Sequence, residues 1–361
     1  MQISEAQSSQ GNDTLLSFSG DAAEIEKLQR LCLASHCLIQ QLDQQWLGQF
    51  SLFQLAALQR KWPQYFGQSN AQLTQIWQAK QILWTGPGFK FDLTVDPVVY
   101  AIINCTPDSF YDGQPSQALG QIMTKIEADL ANGAAVIEVG GKSTRPGYQE
   151  ITPDEEWQRI APVIAAVQQE WPNAVLAVDT NNADVMQRAV TSGVPILNDI
   201  DGFNKAAKLE VVANHRPAVV TMYNGRHYQN DVFETLDQFY QETLASLEAA
   251  GLTRQQIALD PGVGFSHAKN TASLDLFKLN SIQPTMQYRA PIMAGISRKS
   301  FMESNFDYPM AERLTTTLLL EQLMVEQGAR ILRVHDVLAT HKMINLFKGY
   351  QQADLLMAAR S

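Results

Sequence analysis

ARILRVHDV, residues 329–337, starts as an apolar run and ends in an arginine and a histidine separated by one valine. Arg333 and His335 alternate with Val334, so on an extended strand they share a face. A strand buried on both faces is apolar nearly throughout, and in a barrel of strand-helix units the chemistry sits in the loop that follows it. The same transition occurs in VVYAIINCTPDSF (98–110), AVIEVGGKSTRPG (135–147), AVLAVDT (174–180) and PILNDIDG (195–202). It recurs in AVVTMYN (218–224), IALDPGVGF (257–265) and PIMAGISRKS (291–300). Eight repeats between Val98 and His335 direct the polar residues to one end of a parallel sheet.

Helical spacing fills the intervals: about Leu119–Ala131, Pro153–Gln169, Asn182–Thr191, Asp231–Ala250, Thr271–Leu279, Ala311–Glu326 and Asp336–Phe347. ITPDEEW (151–157) is a helix start, with Thr152 as cap, Pro153 in the first turn and acids after it. Alternating strands and helices predict an α/β fold, an eight-stranded (β/α)8 TIM barrel entered through the hairpin-like FKFDLTVDPVV (89–99). An open doubly wound sheet is the competing architecture, but no G-x-G-x-x-G follows the first strand.

The 361 residues allow one large or two unequal domains, and 45% hydrophobic content supports a sizeable core. A net charge of −10 speaks against a nucleic-acid partner, which takes a basic face. No apolar run approaches the ~18 residues of a membrane span, and no signal-peptide pattern opens the chain. Three cysteines, Cys32, Cys37 and Cys105, read as reduced thiols of a cytoplasmic protein. Cys32, His36 and Cys37 are close in sequence, but helix-forming neighbours and the lack of a fourth ligand argue against a metal site. Residues 1–85 differ from the rest: residues 1–13 are polar and expected to fray, and the Gln- and Leu-rich text from Asp21 to about Lys80 predicts three or so short helices. The expected division is a helical extension over 1–85 and a barrel over 86–361.

NCTPDSFYDG, GGKSTRPG, VDT, NDIDG, LDPGVGF, GISRKS and RVHDV, in this order, resemble the dihydropteroate synthase family of folate biosynthesis. The resemblance covers about Phe89 to Ser361. It implies a transferase that joins (7,8-dihydropterin-6-yl)methyl diphosphate to 4-aminobenzoate, forming 7,8-dihydropteroate and diphosphate. It further implies magnesium, small-molecule substrates, a homodimer and membership of a sulfonamide-target family, while leaving the sulfonamide sensitivity of this chain open.

The resemblance also assigns roles. The pterin pocket would consist of Asp179, Asn198, Met222, Asp260 and Lys299. A pterin edge carries donors and acceptors, which carboxylates, an amide and an ammonium at strand ends can read, with Met222 as an apolar wall. An isolated Asp after a strand caps the next turn; the complete set points to a ligand. The diphosphate contacts would be Asn104, Thr144, Arg145, Arg333 and His335, with Asn104 also at the magnesium. Arg offers a planar fork for phosphate oxygens, although a salt bridge to Asp336 is the plain alternative for Arg333. Pro146, Phe265 and Ser300 would form the 4-aminobenzoate slot. Asp179, Lys299, Arg333 and His335 would carry the catalysis. Lys299 is expected to govern ring binding, and Arg333 to serve the leaving group with little effect on the ring.

Several positions depart from the family text. Lys142 stands where Glu is usual, Glu138 where Asp is usual, and Cys105 where Val is usual; Ser266 and His267, with Lys269 beyond, replace Gly-Lys, and VTMYNG replaces LMHMQG. Two other readings compete with the synthase. One is a catalytically weak pterin-binding paralogue acting through a partner, which Lys142 and His267 favour. The other is a pterin-binding methyltransferase, which leaves STRPG and RVHD without a role.

Overall fold

The computed structural model describes residues 1–6, 13–106, 115–142, 150–225, 232–265 and 271–351. Two compact units emerge: Met1–Ile82 with Asp92–Asp96 and Lys348–Ser361, and Leu83–Phe91 with Pro97–Phe347.

The first unit contains β1 (Gln2–Glu5), β2 (Thr14–Ser19), α1 (Ala22–Ala34), β3 (Ile39–Leu42), β4 (Gln45–Phe50), α2 (Leu52–Phe66) and α3 (Ala71–Ala79). The three helices match the expected number. The strands correct a purely helical reading: they form an antiparallel sheet in the order β1-β2-β4-β3. The polar start, expected to fray, instead contributes β1, with Gln2 opposite Ser19 and Glu5 opposite Leu16. Strand signals are faint here because Gln, a good helix former, occupies β3 and β4 at Gln40, Gln41, Gln45 and Gln49. The β3–β4 turn also uses Asp43 at φ 53° in place of the glycine that marks a hairpin. Alternation buries Leu16, Phe18 and Phe50 against Leu28, Leu31, Leu55, Leu58 and Trp62. Capping boxes start two of the helices, Asp21 with Glu24 at α1 and Ser51 with Gln54 at α2.

The second unit opens with a hairpin, β5 (Leu83–Gly86) and β6 (Phe89–Asp92). The barrel follows: β7 (Val98–Asn104), α4 (Pro115–Ala131), β8 (Ala134–Gly140), α5 (Pro153–Glu170), β9 (Val175–Asp179), α6 (Ala183–Thr191), β10 (Ile196–Asp199), α7 (Ala206–His215) and β11 (Ala218–Met222). It continues through α8 (Val232–Ala249), β12 (Ile257–Asp260), α9 (Thr271–Leu279), α10 (Ile282–Thr285), β13 (Met293–Ala294), α11 (Phe301–Phe306), α12 (Arg313–Gln327), β14 (Ile331–Val334) and α13 (Val337–Gln351). The eight strands pair in parallel in the order β12-β11-β10-β9-β8-β7-β14-β13. A parallel bridge between Leu259 and Ile292 joins the two ends of the sheet. Helix α7 escaped the sequence reading because its apolar stripe is short, with Val211 and Val212 as its buried apolar side chains.

Strand periodicity divides the barrel into two layers. Odd positions of β7 (Val99, Ala101, Ile103) and their equivalents Ile137, Val139, Leu176, Val178, Leu197, Val219, Leu259 and Leu332 pack outward with the helices. The alternate residues face the lumen, with Tyr100, Val136, Ala177, Ile196, Val220, Ala258, Met293 and Ile331 all buried. Asn104, Glu138, Asp179, Asn198, Asp260 and Arg333 fall on this inward parity, so the sequence that fills the lumen also sends the polar residues to its mouth. At the opposite end Trp84, fully buried, lies 6.3 Å centroid to centroid from Tyr100 and meets Phe89 edge-on at 5.4 Å. A division at residue 85 would cut through this hairpin.

Two consequences can be measured. Trp84→Ala should cost about 3–5 kcal/mol in denaturant unfolding, as for other buried large aromatics. Glu321 on α12 is fully buried; one oxygen accepts from Thr340 Oγ1 at 3.3 Å, and the other has no partner among the described residues. Burial pushes its carboxyl from 4.5 up to about 8, and Asp336 adds to the rise. The protonated form is favoured in the fold, so this stabilising contribution is complete below the unfolded value and lost as pH rises through about 8. Glu321→Gln should remove that loss, with midpoints that match wild type at about pH 4 and exceed it at about pH 9.

Candidate active site

Strand register assembles the mouth. Asn104 lies opposite Gly140, Gly140 opposite Asp179, and Asp179 opposite Asn198, one continuous rung across four strands. Met222 lies opposite Asp260 two strands further on.

Just below this rung is a buried ion network. Arg333 Nε donates to Glu138 Oε1 at 2.8 Å, and its Nη2 donates to the same oxygen and to Asp179 Oδ2, the latter at 2.8 Å. Asn198 Nδ2 donates to the second Glu138 oxygen at 2.8 Å. Glu138 is 1% and Asn198 3% exposed. Burial disfavours the Arg333 charge, but Glu138 and Asp179 outweigh it and hold the guanidinium protonated. Asp179 is pushed up to about 7, first by burial and then by Glu138, with Arg333 opposing.

A second cluster stands across the mouth. Asp260 Oδ1 accepts from the Gly262 amide at 2.7 Å; burial raises its carboxyl, with Lys299 opposing. Lys299 Nζ donates to the Val263 carbonyl and lies 4.5 Å from the centre of the Phe265 ring. Burial lowers its ammonium to about 8, Asp260 opposing and Arg333 adding to the fall. Gly295 separates the two clusters: a Cβ there would sit 3.3 Å from Asp260 Oδ2 and 3.8 Å from Arg333 Cδ. A side chain at this position would crowd Asp260, so glycine lets the acid and the guanidinium stand close together at the mouth.

The remaining predicted residues are distributed around these clusters. Met222 is buried beside Gly262. Asn104 is exposed at the tip of β7, and His335 is exposed past β14, its amide donating to Ser297 Oγ at 3.2 Å and its Nδ1 3.1 Å from the same hydroxyl. Ser300 is exposed just before α11. Thr144, Arg145 and Pro146 lie outside the described residues, as do Ser266, His267 and Lys269. Arg333 does not pair with Asp336, whose carboxylate receives Arg298 Nε at 2.6 Å and Nη2 at 2.9 Å. Lys142, where the family text has Glu, pairs with Glu150 at 2.8 Å and approaches Asn181 Oδ1 at 3.5 Å.

Glu138 stands out in the sequence only as a departure from the family text, yet in the structure it joins Asn198 to Arg333. Its inward parity with Asn104 and Asp179 was the available signal. Among the described residues, no group of three His, Cys, Asp or Glu could hold a metal ion. A cation here would need oxygens supplied by a substrate, to which Asn104 could add an amide oxygen.

Residues 100–335 match the pterin binding enzyme family. Dihydropteroate synthase of Escherichia coli K12 is 34% identical over 261 residues, covering 70% of this chain and 91% of the relative. That of Bacillus subtilis is 34% identical over 252 residues, covering 69% and 87%. Among solved structures, the Clostridium difficile dihydropteroate synthase crystallised with pteroic acid superposes with a TM-score of 0.66 at 30% identity, covering 72% of this chain and 96% of the other. The Xanthomonas albilineans enzyme with 4-aminobenzoic acid gives 0.69 at 28%, covering 75% and 98%. With its motifs carried on these barrel strands, the chain belongs to the pterin binding enzyme family, among the dihydropteroate synthases.

Proposed function

We propose that the barrel condenses (7,8-dihydropterin-6-yl)methyl diphosphate with 4-aminobenzoate to give 7,8-dihydropteroate and diphosphate. The observation that carries this reading is the meeting of two polar clusters at Gly295, Asp260 and Lys299 on one side and the Asn198–Glu138–Arg333–Asp179 network on the other. Asp260, Asn198 and Asp179 read the amino and ring N–H groups, Lys299 donates to the ring acceptors, and Met222 covers a face. Phe265 and Ser300 receive 4-aminobenzoate, and a sulfonamide of similar shape would compete there. Thr144 and Arg145 for the diphosphate, and Pro146 for the aminobenzoate, rest on the loop sequence alone.

In the reaction the methylene C–O bond breaks with its electron pair leaving on the diphosphate. The amine lone pair then forms the C–N bond, and the amine gives up a proton. Arg333, His335 and Asn104 stabilise the departing charge, while buried carboxylates stabilise the cation that develops on the pterin. Magnesium would be held by Asn104 and the diphosphate oxygens, where it supplies charge neutralisation of the leaving group.

We also propose a homodimer. Exposed Leu319 and Leu323 on α12 and Leu338 and Leu346 on α13 present apolar surface that a second copy would cover. Buried, free Cys32, Cys37 and Cys105 suit a reducing cytoplasm.

The direct test mixes protein, magnesium, the pterin diphosphate and 4-aminobenzoate, and follows diphosphate. Release that depends on 4-aminobenzoate is expected; none from folded protein would refute the reading. Lys299→Ala should weaken pteroic acid binding in calorimetry by about 1–3 kcal/mol. Arg333→Ala should lower turnover on the order of a hundredfold. The structure alters the expectation that ring binding would be spared: removing Arg333 strands Glu138 and Asp179 as unpaired buried acids, so ring affinity should fall as well.

The pH dependence has a defined sign. Pteroic acid affinity should rise as pH passes about 7, where Asp179 becomes the ionised acceptor. Glu138→Gln removes a repelling charge, lowers the Asp179 value and should move that rise to lower pH. A profile unmoved in Glu138→Gln would assign the titration to another group.

A further inference from the structure

The turn after β12, Gly262–Phe265, positions both Phe265 and the partner of Lys299, and charged side chains hold its backbone. Gly262 N–H donates to Asp260 Oδ1 at 2.7 Å. Gly264 N–H donates to Asp275 Oδ1 at 2.7 Å. Lys278 Nζ donates to Gly262 O at 2.9 Å and to Phe265 O at 3.4 Å, and stands 5.2 Å from the centre of the Tyr223 ring. Lys299 Nζ takes the Val263 carbonyl from the side of the mouth. Asp275 and Lys278 come from successive turns of α9 and are 4% and 2% exposed. Burying two such polar side chains is costly, and both direct hydrogen bonds to the backbone of the turn, which calls for a role there.

Geometry supplies one. Lys299 Nζ has three N–H donors, so one can stay on Val263 O while the others turn to a substrate ring, provided the turn keeps that carbonyl in place. Gly262 and Gly264 have φ of 67° and 83°, a backbone that glycine tolerates and that does not hold itself in one conformation. The bonds from α9 do not compete with the substrate and remain in place.

We infer that Asp275 and Lys278 form a clamp on the Gly262–Phe265 turn, positioning Phe265 and the Val263 carbonyl that orients Lys299. Both clamp residues are positioning residues, acting through the turn and not on the reacting atoms. The part concerning Phe265 and Lys299 rests on the synthase reading given above.

The test uses the full chain with Lys278→Met, Asp275→Leu and Asp275→Asn. Asn keeps the acceptor for Gly264 N–H and serves as the conservative rescue. Hydrogen exchange of the peptide spanning residues 259–265 needs no turnover. Exchange should be at least about tenfold faster in Lys278→Met and Asp275→Leu, with Asp275→Asn close to wild type. In the diphosphate-release assay, the first two should raise KM for 4-aminobenzoate about tenfold while kcat changes less than about threefold. A merely structural role would lower the active fraction, and with it kcat, at unchanged KM. Exchange at the wild-type rate in both disruptive variants, or global unfolding of Asp275→Asn, overturns the clamp. Wild-type protein without turnover but with the expected exchange pattern overturns the synthase reading alone.

Discussion

Arg333 is the cation on which the mouth of the barrel depends. Strand ends of a closed parallel barrel bring side chains from every strand into one small space, and here three acids, Glu138, Asp179 and Asp260, point into it. Without a central guanidinium their mutual repulsion and desolvation would be prohibitive. With it, one fork binds Glu138 and Asp179 together, and Asn198 completes the bonding of Glu138. The cost remains visible in the raised Asp179 carboxyl. A ligand that brings its own donors and cations can relieve that cost and gain affinity from doing so.

The barrel was legible because burial on both sheet faces leaves a coarse sequence mark: an apolar run, then an abrupt polar tip. Register then follows from parity, and the inward set Asn104, Asp179, Asn198 and Asp260 could be identified by position. Partners were less legible. Whether Arg333 meets Asp336 two residues away or Glu138 across the lumen is decided by barrel closure, and Asp336 turns to Arg298. Lys278 was equally hidden, since a lysine on an amphipathic helix reads as solvated; only the inward face of α9 reveals it as buried. In the first unit, the short Gln-bearing strands β3 and β4 lack a turn glycine, and the central pairing of β2 with β4 joins residues distant in sequence.

Departures from the family text need not mean decay. Glu138 is longer than Asp by one methylene, and its two oxygens serve two partners, Arg333 and Asn198. Lys142 has its own acceptors in Glu150 and Asn181. Both substitutions are embedded in local pairing, as expected of positions maintained with their neighbours.

The first unit draws on both ends of the chain. Its core segment ends at Ile82, yet it also contains Asp92–Asp96 and residues from Lys348 on, and Lys348 Nζ reaches Asp96 Oδ2 at 2.5 Å. Its apolar core, however, runs from Ile3 to Leu73 and takes nothing from those later segments. On the ribosome that core can close as soon as its own residues have emerged, and the late piece arrives at an interior already packed.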